Sequence, residues 1–274
     1  MSGVLTHLLM TLRLHARSPQ SLVLGYLVPV LFLVAFAAAF GSTPESMQRS
    51  LGKVLTIAVL GGACFGMPIA LVAERERGVW RRYRLAPIGG WWLVASTLLA
   101  RTAILLISGA LVVGVAMAAY GMPLPAHPFA LLAAYLVACI AFLGVGLVLA
   151  MAVSSVPAVQ ALGQCLFLPM LIVGGVAMPV RLLPEWAQGV ARFTPGRYAV
   201  QLLDQAAIPG IAGGSAWFPI LVLLATGACA TWAAVAAFRW DAEPVHPRTT
   251  LLMVAGALVP WIVAGLIAMW GFRP

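Results

Sequence analysis

The tract from Thr102 to Val180 contains no Asp, Glu, Lys or Arg, and this feature most constrains what the chain can fold into. A water-soluble domain carries about 25% charged residues and could not leave so long a tract without them. Over the whole chain only 8% of residues are charged and 63% are hydrophobic. A soluble domain and a disordered chain are therefore both excluded, and we predict an all-α polytopic membrane protein.

Seven apolar runs are long enough to be membrane-spanning helices, because each approaches the ~20 residues that a bilayer core requires. Two breaks, at 121–128 and 154–157, are rich in Pro, Gly or Ser and divide the uncharged tract into three of these runs. The predicted spans lie at about 22–40, 54–73, 102–120, 129–153, 158–179, 217–238 and 251–272. Internal prolines at Pro29, Pro68, Pro169 and Pro260 predict kinks, and the fifth span is the most easily broken.

The basic residues predict the orientation of these spans. The net charge is +9, and the alternation of seven spans places ten basic residues on one side and six on the other. The densest cluster, within 75–84, belongs to the richer side, so the positive-inside rule assigns that side and the N-terminus to the cytoplasm. The basic residues are expected to meet anionic lipid rather than nucleic acid.

Arg101, at the start of the third predicted span, has two interpretations. It is either a functional charge within the membrane or an interfacial residue whose side chain reaches the headgroups. The preceding segment, 88–100, contains Trp91 and Trp92, which favours a helix at headgroup level and the interfacial interpretation.

The sequence lacks the motifs and residues with which a membrane protein could itself supply energy for transport. There is no phosphate-binding GxxxxGK[ST] loop, and the scattered histidines and apolar-run cysteines predict no metal site or disulfide framework. Six of the seven spans lack the ionisable residues that proton- or ion-coupled carriers place inside the bilayer. If the protein moves a substrate uphill, a partner must supply the energy.

The segment Glu74–Pro87 combines a dense cluster of charged residues with two aromatic residues. It follows the second span without a linker and reads ERERGVWRRYRLAP. Its composition fits equally well a solvated basic loop on anionic lipid and a short helix presented to a soluble protein.

Two groups of residues resemble the permease subunits of type-2 ABC exporters, the ABC-2 family. One is Glu74-Arg75-Glu76-Arg77-Gly78 followed by Ala86-Pro87. The other is the run 178–186 with 193–198, similar to the family patterns Pro-x-x-x-Leu-Pro-x-Trp and Thr-Pro-x-x-Tyr. The resemblance implies a six-span, type V exporter-like transmembrane domain over 1–238. Within it the resemblance places a cytoplasmic coupling helix at 74–90 and external re-entrant helices at 181–213. The leader, 1–20, is predicted to be an amphipathic interfacial helix because its leucines at 5, 8, 9 and 12 recur at helical spacing.

The resemblance also implies roles for individual residues. The residues expected to couple the chain to an ATPase are Glu74, Arg75, Glu76, Arg77, Gly78, Arg81 and Arg82. Those expected at the external gate are Pro179, Pro184, Trp186, Pro195 and Tyr198. Apolar residues of spans 1, 2 and 5 are interpreted as either pathway lining or core packing: Phe32, Phe36, Phe65, Met67, Phe167 and Met170.

The predicted function is that of a non-catalytic permease that exports a hydrophobic or amphipathic, drug-like or lipid-like substrate across the bacterial inner membrane. The expected partners are two cytoplasmic ABC ATPases, which would bind ATP and Mg, a second permease copy or paralogue, and membrane lipid. Alternatives are a subunit for haem or metal-centre delivery, polysaccharide export and, with less support, an ion-coupled carrier. The run 251–272 departs from the family layout, so 239–274 is predicted to be a linker and an added seventh span.

Overall fold

The computed structural model describes residues 2–84, 90–210, 216–238 and 247–270. Parts of the predicted segments, at 1, 85–89, 211–213, 239–246 and 271–274, lie outside these residues. The helices are α1 Ser2–Arg17, α2 Val23–Phe40, α3 Pro44–Glu76, α4 Val79–Arg84, α5 Gly90–Tyr120, α6 Pro128–Ala152, α7 Val156–Ile172, α8 Glu185–Ala191, α9 Pro195–Ala207, α10 Trp217–Ala236 and α11 Pro247–Trp270.

Six helices in the described part of the chain are long and apolar enough to cross a membrane, namely α2, α3, α5, α6, α10 and α11. The prediction of an all-α polytopic membrane protein is confirmed. The fifth predicted span is wrong in its bounds, because α7 has 17 residues and ends at Ile172 instead of continuing to 179. The chain turns there at Gly175, whose φ of +76° favours glycine and terminates helices.

The third predicted span is also wrong in its bounds. The separate headgroup-level segment and the span at 102–120 form one continuous helix, α5, of 31 residues. Its length of about 46 Å exceeds the ~30 Å bilayer core. Leu93, Val94, Thr97 and Ala100 are buried on one face of the early turns, which explains why this helix begins at Gly90 rather than at 102.

Both N-terminal spanning helices contain a π-helical turn directly before a proline. The turns are Val23–Leu27, before Pro29, and Gly62–Gly66, before Pro68. A proline ring clashes with the carbonyl four residues earlier, which here belongs to a residue within each π turn. The wider turn moves that carbonyl away, so the backbone accommodates Pro29 and Pro68 with π turns.

Contacts between helix ends define two ends of the bundle. At one end, the Gln48 side chain donates to the Ala207 carbonyl at 2.9 Å, and the Ala126 amide donates to the same oxygen at 3.2 Å. We call this the Gly41 end, since the α2–α3 turn lies there. The opposite end contains the C-terminus of α3, and we call it the Glu76 end.

The short helices α8 and α9 lie at the Gly41 end, where α9 packs along the first half of α3. The added helix α11 packs against α10 and α6. Its Gly265 lies directly against the ring of Phe193, so α11 reaches the Gly41 end. Residues 251–270 of the predicted added span are helical, although they lie outside the six-span family layout.

Close helix packing in the bundle depends on glycine at two contacts. Gly163 of α7 lies directly against the Cys64 carbonyl of α3. A Cβ at Gly144 of α6 would come within 2.7 Å of the Gly227 carbonyl in α10. Neither position has room for a side chain, so these glycines set the spacing of the helices.

Candidate coupling site at the end of the second span

Helix α3 is joined to the short helix α4 by a tight turn without a linker. The Arg77 amide donates to the Ala73 carbonyl at 3.1 Å, and the Gly78 amide donates to the Arg75 carbonyl at 3.0 Å. Gly78 has a φ of +70°, a conformation that L-residues other than glycine adopt at a cost. The predicted coupling segment therefore follows the second span directly, as one tight turn and a short helix that ends at Arg84.

Trp80 anchors α4 to the rest of the bundle. Its side chain is 1% exposed and stacks on Phe238, with ring centroids 5.2 Å apart and planes at 18°. Its indole Nε1 donates to Glu74 Oε2 at 3.3 Å, and the Arg75 guanidinium lies 5.7 Å from the centroid of its ring. A displacement of α4 would thus be transmitted to both α3 and the end of α10.

Arg75 is directed into the protein rather than toward a partner. It is 5% exposed, and its guanidinium donates to the carbonyls of Ala150, at 3.0 Å, and Val153. The last carbonyls of a helix have no amide hydrogen-bond donor within that helix, and they carry partial negative charge. Arg75 therefore caps the C-terminus of α6.

Glu76 makes the corresponding contact to α7. Its Oε1 accepts a hydrogen bond from the Val156 amide at 3.0 Å. The first amides of a helix likewise lack an internal partner, and a carboxylate there also interacts favourably with the helix dipole. The last turn of α3 thus binds the ends of both α6 and α7.

Of the seven predicted coupling residues, Glu76, Arg77, Arg81 and Arg82 have exposed side chains. Glu74 and Gly78 are half-buried, and Arg75 is buried. The exposed surface of this site is therefore mainly basic, and Glu74 and Glu76 each accept a hydrogen bond from within the chain. Sequence reasoning missed Trp80 and Phe238; the signal available was a tryptophan within a run of charged residues.

The predicted gate residues lie at the Gly41 end, but they do not form a single cluster. Pro184 directly precedes α8, and Pro195 is the first residue of α9. Tyr198 is 1% exposed, and its hydroxyl donates to the Arg192 carbonyl at 2.6 Å. Trp186, in contrast, is 70% exposed. Pro179 precedes a 3-10 turn, Val180–Leu182.

Asp204, on α9, was not singled out from the sequence. It packs so closely against Gly52 of α3 that a Cβ there would overlap the carboxylate. Its Oδ1 is buried and has no hydrogen-bond partner among the described residues. Burial raises the pKa of Asp204 to about 7, and the positive charge of Lys53 opposes part of that rise.

Two of the predicted pathway residues form a ring contact between different helices. Phe65 of α3 and Phe167 of α7 are half-buried and meet edge to face, with centroids 5.3 Å apart. Phe36 contacts Phe40 within α2, with ring centroids 5.3 Å apart, and Phe32 is half-buried. Met67 and Met170 are fully or almost fully buried, so each packs within the chain.

These features define a multi-pass membrane protein in which a charged turn and a short helix are built onto the end of the second span. The model of the family described as ABC-2 type transporter matches residues 5–207, well over half of the chain. The chain belongs to this family and is a transport permease, and such permeases normally pair with a separate ABC ATPase. A search of curated proteins finds no match.

Proposed function

We propose that the chain is the permease subunit of an ABC exporter and that it exports an amphipathic or hydrophobic substrate across the bacterial inner membrane. Two copies assemble with two ATPases, which bind ATP and Mg and carry out hydrolysis. The arrangement of α4 supports this proposal most directly. A segment that serves only as a solvated loop does not need a buried tryptophan, or a preceding helical turn that binds the ends of two neighbouring helices.

The contacts of the site make α4 a lever. Trp80 ties it to α10, Arg75 ties the same turn to α6, and Glu76 ties it to α7. Closure of the ATPases would push α4 and shift these helices together. Because α7 contacts α3 through Phe65 and Phe167, the shift would reach the proposed pathway.

The Glu76 end is assigned to the cytoplasm. Exposed arginines of α1 and α4 lie there, which follows the positive-inside rule. Arg77, Arg81 and Arg82 would face an acidic rim on the ATPase, where charge complementarity sets orientation and association rate. Helices α8 and α9 then lie on the external side as the gate.

The second permease copy is assigned to the outer face of α7. Gln160 and Gln164 are exposed on this otherwise apolar helix, one turn apart. An amide facing hydrocarbon without a hydrogen-bond partner is unfavourable, and glutamine side chains are known to bond across membrane helices. A second copy with the same helix can satisfy both amides and enclose a pathway between the subunits.

Co-purification with the ABC ATPase tests the proposed coupling surface. In Arg81→Glu/Arg82→Glu we expect at least ten-fold less ATPase bound, because two attractive charges become repulsive. The matched control is Arg49→Glu/Arg192→Glu, which reverses two exposed arginines elsewhere in the chain. Equal loss in both variants, or no loss in the first, would contradict the assignment of α4 as the ATPase contact.

A further inference from the structure

A slender cavity lies between α1, α2, α3 and α5, within a single subunit. Its volume is about 200 Å³. On α3 its wall runs from Ala58 to Ala73, about 22 Å along the helix axis. Leu24, which also lines it, is 42% exposed, so the cavity reaches the membrane-facing surface. Its length and narrow section suit one extended hydrocarbon chain.

The two π turns both contribute to this cavity. Gly25 comes from the turn in α2, and Gly62 and Gly66 come from the turn in α3. A Cβ at Gly66, or at Gly61 one turn of helix away, would meet no atom within 4 Å. Gly61 and Gly66 thus leave open space that ordinary side chains would occupy, and π turns are often found at functional sites.

The end of the cavity near Ala73 is polar. Arg101 and His15 line it, and the buried Arg101 Nε and both His15 ring nitrogens have no hydrogen-bond partner among the described residues. Burial, together with the charge of Arg101, lowers the pKa of His15, so its imidazole is neutral at pH 7. Glu74 attracts the guanidinium but does not line the cavity.

Arg101 also lies at the level where a headgroup would sit. It attracts Glu74, which is one turn from the cytoplasmic end of α3 in the proposed orientation. The walls beyond it are apolar, with Phe65, Ile104 and Leu105 among them. A half-buried cation with one buried, unpaired donor at the mouth of an apolar slot suits a molecule with an anionic head and one chain.

We propose that this cavity binds an anionic amphiphile from the cytoplasmic leaflet, with its carboxylate or phosphate at Arg101 and His15 and one hydrocarbon chain along α3. The shared chemistry is an oxyanion headgroup with an apolar chain. The binding site is inferred from the cavity, and only the choice of leaflet rests on the orientation proposed above. The binding test below does not involve the ATPase, so its failure would leave the proposed export function untouched.

Native mass spectrometry of the full chain in dodecyl maltoside tests the site. The probes are oleate, its neutral analogue oleyl alcohol, dioleoylphosphatidylglycerol and dioleoylphosphatidylcholine. We expect one bound oleate or phosphatidylglycerol per chain and at least ten-fold lower occupancy for both neutral-head probes. Preferential retention of oleate identifies a single-chain amphiphile, and preferential retention of phosphatidylglycerol identifies a membrane lipid.

Two variants locate the binding within the cavity. Arg101→Gln removes the charge, and Gly66→Leu fills the slot where a Cβ meets open space. We expect each to lower anionic occupancy at least ten-fold, whereas Arg101→Lys retains part of it. The controls are Arg49→Gln and Gly114→Leu, which change an exposed arginine and an exposed helix glycine outside the cavity. Wild-type occupancy in both test variants, or equal occupancy by all four probes, would overturn the proposal.

Discussion

Trp80 and Phe238, 158 positions apart in the sequence, lie stacked at the Glu76 end with their ring centroids 5.2 Å apart. The contact fixes a six-residue helix that could not be stable by itself, since isolated helices shorter than about 12 residues are marginal in water. It also joins the start of α4 to the end of α10. The short helix is therefore held by tertiary packing, as a lever must be.

Cys165 provides a test of the proposed contact between two copies. It is exposed on α7 beside Gln164, whereas Cys64 and Cys139 are buried. If α7 faces a second copy, copper phenanthroline should crosslink the chain in membranes to a dimer, visible on a non-reducing gel. The dimer should disappear in Cys165→Ser and persist in Cys229→Ser. A dimer that depends on Cys229 instead would place the second copy on another face.

Asp204 predicts a pH dependence of stability. Its pKa of about 7 in the folded chain is above the ordinary value of 3.8, so between these values the folded state binds more protons than the unfolded state. The stability that protonation provides is complete below about pH 4 and is lost as the pH rises through about 7. A shift of this size corresponds to up to about 4 kcal/mol.

Thermal unfolding of the detergent-solubilised protein measures this effect. The Tm of the wild type should fall as the pH is raised from 5 to 8, and Asp204→Asn should largely remove this slope. Glu185→Gln, at an exposed acid of the same end, is the control and should keep the wild-type slope. An unchanged slope in Asp204→Asn would show that other groups cause it.

Arg75 predicts a large difference from its exposed neighbour Arg77. Arg75→Ala leaves the carbonyls of Ala150 and Val153 without their charged donor and should destabilise the fold by about 2–4 kcal/mol. Arg77→Ala should change stability by less than about 0.5 kcal/mol, because its side chain is exposed. Thermal unfolding of the two variants side by side checks this. Similar losses would mean that the cap at α6 contributes little.

Hydrophobic runs predicted the helices because the bilayer imposes both their length and their composition. The same runs misplaced the boundaries of α5 and α7. The buried face of α5 begins nine residues before its uncharged part, and α7 stops shortly before Gly175 takes a positive φ. The positions of Pro29 and Pro68 indicated irregularity, but only the structure shows that the backbone widens into π turns.

The coupling segment was located from its motif, whereas its internal contacts could not be predicted. A glutamate or arginine in a polar run has the same local pattern whether it binds a partner or caps a neighbouring helix. The partners of Arg75 and Glu76 lie 75 to 80 residues away in sequence, and such pairings depend on the packing of α6 and α7. The burial of Asp204 could not be predicted for the same reason, because it depends on the packing of α9 against Gly52 of α3.

The most direct test of the account is transport per ATP hydrolysed by proteoliposomes that contain the permease and its ATPase, compared between wild type and Trp80→Ala. Trp186→Ala removes an exposed tryptophan at the opposite end and serves as the control. We expect Trp80→Ala to bind the ATPase normally but to transport at least ten-fold less per ATP, while the control keeps the wild-type ratio. A Trp80→Ala permease that transports at the wild-type ratio would contradict the claim that force reaches the spans through α4.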